Sequence, residues 1–437
     1  MQNKNILFII LANLLWSLIP VIVYRLFDEI SIITIIFLRF FSSAIILLVI
    51  AFLLLFLNNR NPSNARIEIK DLFNFVIAKN KRFFNFKNIE YFMIMGSIGI
   101  ILQVVFYFLA LKFTSISITM IGTFVAIILI AFYEHGNKSE KLDIFKMLYL
   151  LMLIFSITII IIVKTGQTGF RFTFNGIIYI LLYIMCLTFF QISIDRDVLT
   201  KEEIKLINKN NNYKIIRLLF KLSLTFLLGI GIMLPILLLV NLFPWKSDLS
   251  LEINQFIFEL SDISNIFLRW EIIFLIIFST ISPYLLIFFA NVKWKPYHLT
   301  YRQWNSILSV IDPIGSIFFG VVFGIEIFPA LYLAIVLFLL VISVFFRYVH
   351  ESSNVINCFI LINHKKGDIN QLSLKLLKFD GVYSLQHLIG TYDMLLNIKS
   401  NSIRNLYYLI NEEIRKLEQV KSLEILFINK INKFSIS

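Results

Sequence analysis

Charge is what this 437-residue chain has least of: Lys, Arg, Asp and Glu together make up 15% of it, where a soluble globular protein carries about a quarter. That shortage excludes an ordinary water-facing surface over most of the length. Cysteine is nearly absent, Cys186 and Cys358 alone, so neither a disulfide framework nor a cysteine metal site follows. The five histidines are scattered without metal-ligand spacing. No Gly-rich nucleotide loop, Walker lysine or metalloprotease motif occurs, which argues against ATP-driven transport and gives no reason to expect a cofactor. No clustered His, Asp or Glu constellation marks an intramembrane enzyme either.

What is present is apolar: 59% of residues are hydrophobic and 46 are Phe. Runs near the roughly 20 residues needed to cross a bilayer recur from Ile6 to Phe346. In lipid the backbone must satisfy its own hydrogen bonds, so these runs are expected to be helices. Ten spans are expected near residues 6–24, 32–57, 89–111, 115–133, 144–163, 175–194, 215–243, 271–292, 303–324 and 328–346. The first run, Ile6 to Tyr24, lacks a small-residue cleavage motif and is followed at once by another span, so it reads as a permanent helix rather than a signal peptide.

The formal charge of +13 does not point to nucleic acid, because the basic residues are spread among loops instead of gathered in one face or tail. Counted in alternate loops they divide unevenly. One side receives 20 Lys and Arg, from Arg60, Arg66, Lys70, Lys79, Lys81, Arg82 and Lys87 through to Lys293, Lys295 and Arg302. The other receives six, Arg25, Lys112, Lys164, Arg171, Lys246 and Arg269, together with Asp28, Glu29, Asp248, Glu252, Glu259 and Asp262. The positive-inside rule then puts both termini in the cytoplasm and requires an even number of spans across the cell membrane.

A composition break follows Arg347. From Asn354 onward no run is long enough to cross a bilayer, and periods of 2 and 3.6 appear instead. Strands are expected at Val355 to Ile362, Gly381 to Leu388, Tyr392 to Lys399 and Ser422 to Ile428. Between them lie a short amphipathic stripe of Ile369, Leu372 and Leu376 and a longer one of Ile403, Leu406, Tyr407, Ile410, Ile414 and Leu417. The order strand, helix, strand, strand, helix, strand is the split βαβ, ferredoxin-like α+β arrangement.

Two stretches of the apolar part echo each other. Phe108-Leu-Ala-Leu-Lys-Phe-Thr-Ser115, a span, then Tyr133-Glu134 before another span, is matched by Phe289-Ala-Asn-Val-Lys-Trp-Lys-Pro296, a span ending Gly324-Ile-Glu326, and a final span. With Leu15-Trp16-Ser17, Leu38-Arg39-Phe40 and Asp312-Pro313, this resembles the EamA family of the drug/metabolite transporter superfamily. The resemblance implies two five-helix repeats of inverted topology, here residues 6–164 and 175–347, and a secondary carrier for a small metabolite that works by alternating access. Two departures stand out. Glycines common in the family's helices are here largely Ile, Phe or Leu, and the loops Asn58–Asn88 and Asp195–Lys214 are long.

The tail, residues 354–431, carries His387-Leu-Ile-Gly390-Thr-Tyr392-Asp393-Met-Leu-Leu-Asn-Ile-Lys399, with Asp380-Gly381-Val382 before its second strand and Val420-Lys-Ser before its last. It resembles the effector-binding domain of the Lrp/AsnC family, without the DNA-binding helix-turn-helix that normally precedes it. The resemblance implies a homodimer through the sheet and an amino-acid effector near the Gly390, Tyr392 and Asp393 turn. It gives no role in DNA binding. The alternative to a regulated carrier is a membrane-anchored small-molecule sensor that does not transport.

Within the spans a few polar residues stand out. A bare carboxylate at the helix centre costs roughly 2.5–3.5 kcal/mol on insertion scales, so Asp312 is expected to face the bundle interior, either as a substrate or proton site or as the cap of a half-helix restarted by Pro313. Arg39 either binds an anionic group, snorkels outward or pairs with a carboxylate. Gln103, Tyr107, Gln191 and Trp16 either line a polar cavity or join helices by hydrogen bonds. Glu134 and Glu326, matched across the two halves at helix ends, read as gate or loop anchors.

Overall fold

The computed structural model describes residues 2–61, 66–78, 86–138, 143–167, 173–193, 203, 206, 210–240, 248–292, 299, 301–353, 356–365, 368–377, 379, 381–400 and 403–427. Among the described residues, ten helices are long and apolar enough to cross a membrane: Lys4–Leu26, Ile32–Arg60, Asn88–Phe113, Ile116–Tyr133, Ile144–Thr165, Phe174–Ser193, Asn212–Leu239, Trp270–Ile287, Gln303–Val322 and Ala330–Ser352. They fall within a few residues of the expected spans and are numbered first to tenth below. Capping sets some of their starts. Ser31 accepts the Thr34 N–H at 3.0 Å and Asp143 accepts the Lys146 N–H at 2.8 Å, opening the second and fifth spans.

Helix contacts repeat when five is added to each number. The third span packs on the sixth as the first does on the eighth, and the fourth packs on the sixth as the first does on the ninth. The third packs on the seventh as the eighth does on the second, while the second and seventh, and the fifth and tenth, pair with each other. Five helices per half reverse the direction of the second half, so these contacts have the symmetry expected of two inverted repeats. π-helical turns occur at matching places, Met95–Leu102 in the third span and Ile277–Ile281 in the eighth.

Two spans are broken, and they touch. The first is interrupted at Leu18 ahead of Pro20, and the ninth at Ser309 and Val310 ahead of Pro313. Where they cross, a Cβ added at Gly315 would lie 2.5 Å from the Ser17 hydroxyl oxygen, so only glycine lets the half-helices meet. Helices outside the spans were not expected from the sequence, among them Ile69–Ile77 between the second and third spans, and Asp248–Glu259 between the seventh and eighth.

The tenth span runs on to Ser353 and leads into the tail, where four antiparallel strands, β1 (Ile356–His364), β2 (Val382–His387), β3 (Met394–Ser400) and β4 (Val420–Phe427), lie in the order β2-β3-β1-β4. Cys358, Ile360 and Ile362 of β1 and Met394, Leu396 and Ile398 of β3 face two helices, as alternation predicts. Gly381, at φ +97°, accepts the Lys399 N–H with its carbonyl at 2.8 Å. A Cβ there would lie 2.9 Å from the Lys399 carbonyl. The expected stripe shifts in one respect: a π-helical turn at Leu409–Ile414 rotates the second helix, so Leu409 is buried and Tyr407 faces out.

Packing in this domain pushes the Cys358 thiol up to about 11 by desolvation. Only about one thiol in ten thousand is then ionised at pH 7. A maleimide should leave Cys358 unmodified in the native protein and modify it once denaturant is added, as peptide mapping would read. Rapid native labelling would show that the domain opens readily.

Candidate functional site

Arg39 lies inside the second span, 4% exposed, and does not snorkel. Its Nε donates to the Thr280 hydroxyl at 2.6 Å and its Nη2 to the Ser279 carbonyl at 3.1 Å, with the guanidinium 5.0 Å from the Phe40 ring centre. These acceptors come from the π-helical turn of the eighth span. Such a turn disturbs the i to i+4 ladder, and here the Ser279 and Thr280 hydroxyls both donate to the Leu275 carbonyl, at 2.6 and 2.9 Å. All of Arg39's partners are neutral, and among the described residues no carboxylate pairs with it.

Asp312 occupies the first turn of the second half of the ninth span, beside buried Pro313. Ser316 donates to it across 3.4 Å, a long bond that leaves most of the carboxylate's capacity unused. Tyr107 of the third span stands within electrostatic reach of both Asp312 and Arg39. Its ring lies 5.2 Å from that of Tyr183 in the sixth span, whose hydroxyl is 3.0 Å from that of Thr123. On the Arg39 side Tyr284 meets Trp16 edge-on at 5.7 Å and Phe226 at 5.6 Å.

The fold thus brings Asp312, Arg39, Tyr107 and Trp16 to one interior region. Gln103 is half-buried one turn from Tyr107 on the same face of the third span. Gln191 lies apart: it is exposed, two turns beyond Tyr183 near the end of the sixth span. Tyr183, Tyr284, Thr123 and Thr280 belong to the region and were not singled out from sequence. The tyrosines carry the same signal as Tyr107, an aromatic hydroxyl inside an apolar run, whereas nothing local distinguishes the two threonines.

On the face opposite the chain termini, carboxylates sit on helix N-termini, where the backbone N–H groups and the helix dipole favour negative charge. Glu326, 6% exposed, accepts the Ser117 N–H at 2.9 Å and the Ser117 hydroxyl at the start of the fourth span. Lys164 approaches it at 3.7 Å. On the 248–259 helix, Glu252 accepts the Ile32 N–H at 2.6 Å and pairs with Lys112 at 2.6 Å, while Glu259 accepts the Ser31 N–H and the Thr34 hydroxyl at the start of the second span. Both clasps join the first five spans to the last five. The Glu134 side chain lies outside the described residues.

Glu326→Ala removes one clasp while leaving two buried donors on the fourth span unmatched. Unmade bonds of this kind cost about 1–3 kcal/mol, which weakens the contact across this face by about fivefold or more. Labelling of Thr123→Cys by a membrane-impermeant thiosulfonate from that face should accelerate accordingly. An unchanged rate would mean that Glu326 only anchors its loop.

In the tail, Asp393 closes the hairpin instead of presenting a free carboxylate. Its Oδ2 accepts the His364 N–H at 2.6 Å, its N–H donates to the Ile362 carbonyl at 3.1 Å, and its carbonyl accepts the Leu388 N–H at 2.8 Å. That is why β3 starts at Met394 and not at Tyr392. The Tyr392 hydroxyl donates to the Glu424 carboxylate, which holds the phenol above its ordinary value. Gly390 is exposed between β2 and β3.

A profile of the EamA-like transporter family matches residues 3–162, and one of the Lrp/AsnC ligand binding domain matches residues 357–435. No curated protein matches the chain. A solved structure titled only "Crystal structure of protein" aligns with 81% of this chain and 99% of its own at 14% identity, with a TM-score of 0.44, too remote to carry an argument. One polypeptide thus carries a stretch, residues 3–162, similar to the EamA-like transporter family and a C-terminal stretch, residues 357–435, similar to the Lrp/AsnC ligand binding domain, in a multi-pass membrane protein.

Proposed function

We propose that the chain is a secondary transporter that carries a small zwitterion of amino-acid size across the cytoplasmic membrane, and that residues 175–347 form its second EamA-type repeat. The observation that carries the reading is the separation of two buried charges. Among the described residues Arg39 is met only by neutral acceptors and Asp312 by one long hydroxyl bond, and both stand within electrostatic reach of Tyr107. A carboxylate delivered to Arg39 and an ammonium delivered to Asp312 would each gain a charge-assisted bond that the protein alone does not make. Trp16, Tyr107, Tyr183 and Tyr284 would bound the apolar part between them.

Transport then consists of rocking the two inverted repeats about this region, with the Glu326 and Glu252/Glu259 clasps closing the face opposite the termini in one state. Asp312 is the group that could exchange the substrate's ammonium for a proton. The excess of Lys and Arg in the loops on the side of the termini supports a cytoplasmic location for both ends. There the tail would dimerise through its sheet and bind an effector, biasing the carrier by preferring one of its two states.

Thermal unfolding of the full-length protein against a panel of amino acids, their decarboxylated amines and their deaminated acids tests the site. At least one amino acid should raise the midpoint in the wild type and fail to do so in Arg39→Gln. Equal stabilisation of wild type and variant would place the ligand elsewhere. A protein that binds amino acids but moves none in liposomes would be a sensor and not a carrier.

A further inference from the structure

The helix Ile69–Ile77 takes no part in the carrier described above. Its inner residues Leu72 and Val76 are buried, while Ile69, Phe73 and Ile77, four apart and so on one face, are 54%, 47% and 62% exposed. Its depth follows from two ring contacts. Phe73 packs at 5.3 Å on Phe220 of the seventh span, and Phe52 of the second span packs on the same ring at 6.3 Å. Phe52 stands 20 residues beyond Ile32, where the second span begins. At about 1.5 Å per residue that is about 30 Å, the thickness of the hydrocarbon layer. The helix therefore lies at the boundary between acyl chains and headgroups on the side of the termini, tied to the seventh span by the Tyr213 hydroxyl, which donates to the Asp71 carbonyl at 3.2 Å.

The charged groups around the helix differ in how they are engaged. Of the acids beside it, Glu68 and Asp71 form a reciprocal capping box at its N-terminus, and Glu90 accepts the Lys87 N–H at the start of the third span. The cations Arg60, Arg66, Lys70 and Lys87 are exposed, and no ion pair among the described residues engages them. An exposed apolar stripe at the hydrocarbon boundary, flanked by exposed cations whose neighbouring acids are engaged by backbone N–H groups, is complementary to a lipid with an anionic head.

We propose that the 69–77 helix is an interfacial docking site for anionic phospholipid. Acyl chains cover Ile69, Phe73 and Ile77, and phosphate groups meet Arg66 and Lys70. The site is independent of the carrier's substrate, so it stands or falls separately from the transport reading.

The test is hydrogen exchange of the full-length protein, one copy per nanodisc, in phosphatidylcholine alone and with a minority of phosphatidylglycerol. Amides of the 69–77 helix should exchange at least about fivefold more slowly with phosphatidylglycerol present, the factor expected for one cation near an anionic surface. Arg66→Gln with Lys70→Gln should abolish the difference between the two lipids, while exchange in the second and seventh spans stays as in the wild type. Ile69→Ser with Ile77→Ser, at exposed positions that leave the Phe73 contact intact, should speed exchange in both lipids. Equal wild-type exchange in the two lipids, a lipid difference that survives loss of both cations, or protection only with two copies per disc would each overturn the proposal.

Discussion

Asp312→Asn is expected to reduce amino-acid counterflow in proteoliposomes to the level of protein-free vesicles while the protein still folds. The substitution keeps the size and one acceptor of the side chain, and the only described bond it alters is the long one from Ser316. The fold should therefore tolerate it within about 1 kcal/mol. The function should not, because the neutral amide can neither pair with an ammonium group nor take up the proton that would replace it. Losing a charged partner of a buried ion costs about 3–5 kcal/mol, which is a factor of 100 or more in binding alone. Arg39→Gln should match that loss. It should also loosen the eighth span, since it removes the donors to Thr280 and Ser279. A melting temperature lowered in Arg39→Gln but not in Asp312→Asn would separate the two roles. Residual counterflow above about a tenth of wild type in Asp312→Asn would remove that carboxylate from the site.

The largest effect on stability is expected at Gly96. In the π-helical turn of the third span its backbone lies against the seventh, so closely that a Cβ would fall 2.1 Å from the Thr225 carbonyl oxygen and 3.0 Å from the Gly229 Cα. Seen from the other helix, a Cβ at Gly229 would lie 2.6 Å from the Gly96 carbonyl oxygen. The obstacles are backbone atoms, which cannot rotate away as a side-chain tip can. Gly96→Leu must force the spans apart, and overpacking of this severity costs about 3 kcal/mol or more. The purified protein should melt about 10 °C lower or fail to accumulate. Gly231→Ala, two positions beyond Gly229 with nothing within 4 Å of the added Cβ, should be neutral or slightly stabilising, by up to about 1 kcal/mol. A tolerated Gly96→Leu would mean that the third and seventh spans do not approach in the membrane as described.

The spans were legible in the sequence because lipid imposes one demand, an unbroken apolar helix of about 20 residues, that any window of residues meets or fails on its own. The tail was legible because alternation and helical stripes fix which face is buried, and Cys358, Ile360 and Ile362 all point inward. Hydropathy does not say which side of a span faces the interior. Gln191 and Gln103 are equally polar in equally apolar runs, yet one is exposed and the other half-buried near Tyr107. The break in the ninth span falls before Asp312, at Ser309 and Val310, a position set by its crossing with the first span at Gly315 as well as by Pro313. The 248–259 helix could have been found. Glu252 and Glu259 sit seven apart, on one face with Ile253 and Phe256, a stripe that only burial on another element explains. What they bind, the N-terminal amides of the second span some 220 residues earlier, had no local signature.

The most direct test of the account is the charge requirement of transport by the wild-type protein. In proteoliposomes preloaded with a mixture of amino acids, counterflow should be inhibited by zwitterionic amino acids and left unaffected, within about twofold, by the corresponding amines or deaminated acids. Each analogue leaves either Arg39 or Asp312 unpaired in the interior and forfeits the stabilisation of that charge. Inhibition by amines or deaminated acids as strong as that by zwitterions would contradict a site that reads both charges at once.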